Sequence, residues 1–230
     1  MKQYINLLII SLFLLALWGC NGNRSKRTFN EGTIEYDIKF EGNDQEKINT
    51  SMLPSKIIVK FRDNNISNKI GGLSGSVNMT FINNIDDKSL IVLVNIWNKK
   101  LFFQDSLLKQ NLPNAYAGMP TIWVEKTNEI VQFNGFNCMK AIAHYKDSSN
   151  NSFEILYTKE INIANPNANT PFELVDGVML KFSIKLNKYL MNISSTSIKA
   201  EHISMDEFKV PLGYEKVSKR TIEDLVSLMQ

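Results

Sequence analysis

Two cysteines, two histidines and a few carboxylates in predicted turns are the side chains that could do nucleophilic, acid–base or metal chemistry. Cys138 and His144 have the types of a nucleophile and its base, and they share one face of a predicted strand. Six residues of extended chain nevertheless separate them by ~20 Å. His202 and the pair Asp86-Asp87 add no ligand spacing typical of zinc or calcium. The sequence therefore predicts no metal, no cofactor and no catalytic residue, and it favours Cys138 as a small buried side chain.

The other cysteine, Cys20, indicates a covalent modification instead. It closes the apolar run 5–18 behind the basic Lys2, and the small residue Gly19 precedes it. A basic start, an apolar core of about 7–15 residues and a small residue before the cleavage site are typical of a secretory signal peptide. Because a cysteine follows that site, the segment resembles a bacterial lipobox, which implies that Cys20 is acylated and becomes the first mature residue. Ordinary secretion and an uncleaved anchor are the alternatives, although a membrane span needs ~20 apolar residues.

Lipidation would attach the folded part of the chain to a membrane of the bacterial envelope. More than one acyl chain suffices for stable anchoring. Some lipoproteins carry an acidic signal for surface export directly after the cysteine, and residues 21–24 contain no acid. We therefore expect an anchored protein of the outer membrane that faces the periplasm, with the inner membrane as the open alternative.

Length and charge limit the organisation of the mature chain. Removal of residues 1–19 leaves 211 residues with a formal charge of +2. That length fits one domain with a single core, and the weak, dispersed charge argues against a nucleic-acid partner. We predict a signal peptide at 1–19, a lipidated tether at 20–31 and one domain at 32–230.

Alternation of apolar and polar side chains predicts that this domain is mostly β. The alternation is strictest in Ile34–Phe40, whereas Leu90–Val94 is apolar on both faces and predicts a strand that is covered on both sides. Asn134-Gly135 predicts a type I′ hairpin turn. The other predicted strands are 56–62, 66–70, 77–81, 100–104, 129–133, 136–145, 152–158, 178–186 and 190–204, the last of them long and edge-like.

Two segments depart from the strand pattern. Two prolines and a glycine interrupt the apolar residues of 105–120, so we predict a short helix at 105–111 followed by an irregular loop. Near the C-terminus, Ser218 is a predicted N-cap, and apolar residues from Ile222 onward recur at helical spacing. The predicted fold is a large curved antiparallel sheet or half-open barrel, with a C-terminal helix and a short helix or loop as a lid.

Three stretches in the second half of the chain carry a family resemblance. Residues 135–141 read G-F-N-C-M-K-A, 155–161 read I-L-Y-T-K-E-I, and 172–180 occupy the place of a G-L-P-G-L-I-L signature of which Gly177 and its apolar flank survive. Together they resemble the GLPGLI-type envelope proteins of Bacteroidetes. The final segment 208–214 is similar to the closing strand of the LolA/LolB-like lipoprotein carriers. The resemblance implies a half-open barrel with helices over an apolar cavity, and it implies no catalytic residue.

These observations favour a non-catalytic, membrane-anchored binder or carrier of apolar ligands, such as a lipid or an acyl chain. Aromatic and flexible methionine side chains are suited to line such a cavity. The candidate lining consists of Ile34, Tyr36, Ile38, Phe40, Val59, Phe61, Val77, Met79 and Phe81. The candidate mouth or lid consists of Leu107, Leu108, Leu112, Tyr116 and Met119.

The same side chains equally describe a filled core. A second hypothesis is therefore a structural or partner-binding envelope lipoprotein without a ligand. A third is an unrecognised hydrolase, which an acid–base pair at the cavity mouth would favour. Volume discriminates between the first two, because an apolar cavity of a few hundred Å³ favours a ligand and a packed interior favours a protein partner.

Overall fold

The computed structural model describes residues 28–41, 53–72, 76–107, 113, 116, 118–146, 151–186 and 189–227. These residues form one large, open, curved sheet of twelve strands with one C-terminal helix, which confirms the predicted fold class. The predicted lipidation site Cys20 lies outside the described residues. Within the described ranges, no helix is long and apolar enough to cross a membrane.

The order of the strands in the chain differs from their order in the sheet. Across the sheet they run β12-β6-β5-β4-β3-β2-β1-β11-β10-β9-β8-β7. One helix, α1 (Lys219–Ser227), ends the described chain, and a single 3-10 turn covers Met205–Phe208. The strands are β1 (Glu31–Glu41), β2 (Lys56–Arg62), β3 (Asn65–Gly72), β4 (Val77–Asn84), β5 (Ser89–Ile96), β6 (Lys99–Ser106), β7 (Ile122–Phe133), β8 (Phe136–Tyr145), β9 (Ser152–Thr158), β10 (Val178–Leu186), β11 (Tyr189–Lys199) and β12 (Glu215–Lys216).

Two antiparallel meanders meet at β1. Strands β1–β6 pair in sequence, and β7–β11 form a second run whose last strand returns to pair with β1. Strand β11 is therefore central, so its predicted edge position is wrong, and it ends at Lys199 rather than Ser204. The edge is taken instead by β7, which begins at Ile122, earlier than predicted. One strand pair, β12 beside β6, is parallel.

Strand β5 is buried on both faces, as its unbroken apolar sequence predicts. One face packs against Ile222 of α1, and the other packs against Phe208. Between these two contacts the chain passes around the edge of β6, where the Val217 N–H donates to the Phe102 carbonyl oxygen at 2.8 Å. The segment 203–225 thus acts as a clamp that covers both faces and part of the edge, which protects the edge from pairing with another chain.

Two local predictions are confirmed by the backbone. Asn134 and Gly135 have φ angles of 48° and 83°, and a type I′ turn requires positive φ at both central positions. At the start of α1 the Ser218 Oγ accepts the N–H of Thr221 at 3.2 Å, which is an N-cap hydrogen bond. Turn and cap residues act on their immediate neighbours, so the local sequence suffices to identify them.

The helix predicted at 105–111 is wrong at its start. Asp105 and Ser106 continue β6 and pair with the opposite residues of β5. Backbone pairing with a buried neighbour strand outweighs a weak local helix preference. Leu107 lies in a turn, and residues 108–111 lie outside the described ranges.

Candidate functional site

The inner face of the sheet around Ile34 is covered by residues 159–177, here named the plug, whereas the part around Phe81 packs against α1. The plug contains no helix or strand of its own beyond an isolated bridge. Two of its apolar side chains are nevertheless core residues, since Phe172 and Ile161 are 0% and 2% exposed. The plug therefore occupies space that the sequence analysis assigned to a ligand.

A buried loop must satisfy its backbone polar groups without the ladder of a sheet. Asn167 does so for the plug, because its Nδ2 donates to the carbonyl oxygens of Val175 at 2.7 Å and Gly177 at 3.0 Å. Thr170 Oγ1 donates to the Asn167 carbonyl at 2.7 Å and accepts the Phe172 N–H at 3.1 Å. These bonds favour one compact conformation of the plug.

Phe172 is the centre of the apolar interior. Its ring meets those of Tyr116, Phe153 and Phe182 edge-on, with centroids 5.6, 6.3 and 5.7 Å apart. Edge-to-face pairs at such distances add to the stabilisation from burial. Burial also raises the pKa of Tyr116 to about 12, so its hydroxyl stays protonated at physiological pH.

A cleft of about 100 Å³ remains between the plug and strands β1–β5. The Tyr36 hydroxyl lies in its wall and donates to the Met179 carbonyl oxygen at 2.8 Å. Burial raises the pKa of Tyr36 far above its ordinary value, so this donor stays protonated. Pockets for drug-sized ligands have about 300–1,000 Å³, so the cleft has no room for a complete acyl chain.

The cleft brings together part of the predicted lining. Ile34, Tyr36, Val59 and Phe81 line it. The remaining predicted residues lie elsewhere in the interior. Ile38, Phe40 and Phe61 pack in the core cluster that contains Phe172, whereas Met79 packs in the cluster around Ile222 of α1. Val77 is buried but does not line the cleft.

The predicted mouth is divided in the same way. Tyr116 lines the cleft, and Met119 packs against the cluster around Phe172. Leu107 packs instead in the cluster around Ile222 of α1. Leu108 and Leu112 lie outside the described residues.

The sequence analysis missed the polar residues that line the cleft, and among them Asn83 has a side-chain atom without a partner in the described part of the chain. Asn83 is 5% exposed, and its Oδ1 has no hydrogen-bond partner among the described residues. It pairs across the sheet with Ile66 and Leu90. A buried acceptor without a partner costs about 1–3 kcal/mol. The signal was present, because Asn83 continues the inward alternation of Val77 and Phe81.

The outer face carries a larger and more open groove of about 650 Å³. Strands β2–β5 form its floor, and the segment before β12 forms one wall. Two ion pairs line this wall, Lys60 with Glu207 at 2.8 Å and Lys209 with Asp206 at 2.9 Å. Lys69 projects from the floor, and it has no ion pair within the described part of the chain. The groove therefore offers an exposed cation in a concavity of ligand-binding size.

The reactive side chains named at the outset do not converge. Cys138 is fully buried, and burial raises its pKa to about 11. His144 lies 3.3 Å from Glu125, and His202 lies 3.3 Å from Glu31. Over the described ranges, no three His, Cys, Asp or Glu side chains form a group that could hold a metal ion.

Comparison with known proteins adds no family to this geometry. Neither protein-family models nor curated proteins give a match to this chain. The resemblance of residues 135–141, 155–161 and 172–180 to GLPGLI-type proteins therefore stays a prediction.

One ion pair joins the end of the plug to strand β7, and a second joins the two ends of the plug to each other. Asp176 accepts hydrogen bonds from the Nζ of Lys159 at 2.6 Å and of Lys126 at 3.2 Å. The hydrogen bond from Lys159, supported by Lys126, lowers the pKa of Asp176 to about 2. The charge of Asp176 thus stabilises the folded state at neutral pH, and this contribution is lost over an acidic pH range.

We expect Asp176→Asn to lower the free energy of unfolding at pH 7 by about 0.5–1 kcal/mol, because half-exposed pairs are screened by solvent. Since the folded-state pKa is depressed, the contribution is present above the unfolded-state pKa of ~4 and is lost as pH falls through the folded-state pKa of about 2. Urea denaturation at pH 7, 4 and 2 measures the free energy of unfolding of wild type and Asp176→Asn. The difference between the two should shrink as the pH falls. A difference that persists at pH 2 contradicts this assignment, and Glu173→Gln on the same segment is the matched control.

Proposed function

We propose that this chain is a lipid-anchored protein of the bacterial envelope whose folded domain binds a protein partner and has no catalytic role. The filled inner face carries this proposal. Phe172 is fully buried and the cleft beside it has a volume of about 100 Å³. A ligand carrier would need an apolar cavity of a few hundred Å³, so the small volume of the cleft favours a protein partner over a carried ligand. The sequence alone had favoured the carrier.

The outer groove is the surface that we assign to the partner. Its floor presents hydroxyl, amide and ammonium groups, including that of Lys69, which has no ion pair among the described residues. An acidic segment of a partner would complement that charge. Anchoring at Cys20 would hold the folded domain, and with it this groove, close to the membrane on its periplasmic side, because the predicted tether 20–31 is short.

Site-specific photo-crosslinking in the native bacterium tests the proposal. Benzoylphenylalanine at position 69 should give a discrete protein adduct, whereas the same group at position 174, which is exposed on the plug, serves as the control. Benzoylphenylalanine at position 116 samples the cleft. The proposal fails if position 69 gives no protein adduct while position 116 gives an adduct of lipid mass.

A thiol count tests the proposed anchor separately. Acylation would remove the Cys20 thiol, and burial protects the Cys138 thiol in the folded chain. The protein purified from membranes should therefore show no thiol that reacts with Ellman's reagent when native and one after denaturation. In Cys138→Ser no thiol should remain in either state. A rapidly reacting thiol in the native protein would show that Cys20 is free.

Asn83 supports a second candidate function, the binding of a small amphiphilic ligand in the cleft. Its unpartnered Oδ1 in an apolar wall would be satisfied by a ligand that donates a hydrogen bond. Native mass spectrometry of the membrane-purified protein should then find a small bound molecule. Asn83→Leu should lose it, with about tenfold weaker binding for one lost hydrogen bond. An identical ligand load in wild type and variant would exclude this role of Asn83.

A further inference from the structure

The end of the sheet farthest from the start of β1 carries two strongly exposed apolar side chains. Trp97 is 76% exposed and Leu212 is 99% exposed. Trp97 lies in the turn between β5 and β6, and Leu212 lies just before β12. Because β12 runs parallel to β6 with Glu215 opposite Leu101, both side chains belong to the same end of β6.

The backbone of Trp97 is also unusual. Its φ angle is +51°, in the left-handed region that bulky residues rarely adopt. The turn is tied to the neighbouring loop by the Trp97 N–H, which donates to the Ser76 carbonyl oxygen at 3.0 Å. A smaller residue would fit this turn with less strain, so packing does not account for an indole here. Strain at an exposed position suggests that the side chain has a function there.

Basic side chains surround the two apolar ones. Lys99, Lys100 and Lys216 are exposed, and none has an acidic partner within the part of the chain that the structure describes. Glu215 is the acid beside them. Indole rings prefer the headgroup level of a bilayer, and lysines near an anionic bilayer are attracted to its lipid phosphates.

We propose that this end of the sheet, which we name the tip and define as Trp97, Leu212, Lys99, Lys100 and Lys216, docks onto an anionic phospholipid bilayer. Trp97 and Leu212 would enter the headgroup region while the three lysines contact phosphates. This inference goes beyond partner binding in the outer groove, because it adds a second contact between the folded domain and a membrane.

The geometry allows the tip to reach the membrane that holds the proposed anchor. The eight residues of β5 span about 27 Å in extended form, and β5 lies four strands across the sheet from β1, which carries the tethered end. Because Phe29 already bridges to Ile161, the tether available for this reach is residues 20–28, which extends to about 30 Å at most. A domain lying on its side can therefore bring the tip to the bilayer without unfolding.

Quenching by brominated lipid tests the docking directly. The full chain, purified from membranes, is reconstituted into vesicles of phosphatidylcholine and phosphatidylglycerol that carry bromine on their acyl chains. Trp18→Phe/Trp123→Phe leaves Trp97 as the sole indole, and Trp18→Phe/Trp97→Phe leaves Trp123 as the matched control. Trp123 is 45% exposed and lies on the opposite edge strand.

We expect strong quenching of Trp97 and little quenching of Trp123. Adding Lys99→Gln/Lys100→Gln should weaken the docking equilibrium about thirtyfold, since each lysine near an anionic surface contributes about fivefold. Equal quenching at the two tryptophans overturns the proposal, as does unchanged Trp97 emission. Protection of Trp97 from iodide that grows with protein concentration without vesicles also overturns it, because the tip is then an interface between copies.

Discussion

Replacing Phe172 by alanine should lower the free energy of unfolding by about 3–5 kcal/mol. The side chain is fully buried, and its ring contacts Tyr116, Phe153 and Phe182. Alanine would remove these contacts and leave a cavity that the surrounding strands cannot close completely. Urea denaturation followed by circular dichroism measures the loss.

Leu174→Ala is the matched control for that variant. Leu174 lies two residues away on the plug and is 66% exposed, so its loss should stay within about 0.5 kcal/mol. Equal effects of the two substitutions would mean that the plug is not part of the core. A large effect confined to Phe172→Ala would support the filled interior on which the proposed function rests.

Gly32→Ala should cost about 3 kcal/mol and lower the melting temperature by roughly 6–12 °C. An added Cβ would lie 2.2 Å from the Lys199 carbonyl oxygen and 3.2 Å from its carbon. Both atoms are backbone, so they cannot rotate away as a side chain would. Strand β1 joins the two meanders, and relief of the clash would separate β1 from β11 where the two halves of the sheet are joined.

A glycine in an open turn controls for the loss of glycine itself. Nothing lies within 4 Å of an added Cβ at Gly135, although its φ is +83°. Asparagine tolerates such a backbone, so Gly135→Asn should cost less than about 1 kcal/mol. Equal melting temperatures of the two variants by calorimetry would mean that an added Cβ at position 32 meets no damaging contact with the Lys199 backbone.

The alternation of apolar and polar side chains was sufficient for most strands. It placed Ile34–Phe40 on β1, and the unbroken apolar run of β5 correctly indicated cover on both faces. Such patterns are reliable because each side chain has to satisfy only its own face of the sheet. Extended two residues beyond Phe81, the same alternation places Asn83 on the inner face, which the sequence analysis missed. No sequence pattern reveals that the Asn83 Oδ1 has no partner among the described residues.

The errors concern pairing between distant parts of the chain. The long segment 190–204 was predicted to be an edge strand, yet β11 pairs with both β1 and β10. The start of the predicted lid helix became part of β6 for the same reason. A strand gains its partners from segments far away, and local composition carries little information about them.

The sequence by itself determined the class of the fold, the cover of β5 on both faces, the Asn134-Gly135 turn and the cap of α1. Each depends on residues close together in the chain. Only the tertiary structure decided that the interior is filled, because the plug is a polar loop in sequence whose few apolar side chains meet strands from both meanders. The volume left between them depends on the packing of all these segments at once, and no local pattern contains it.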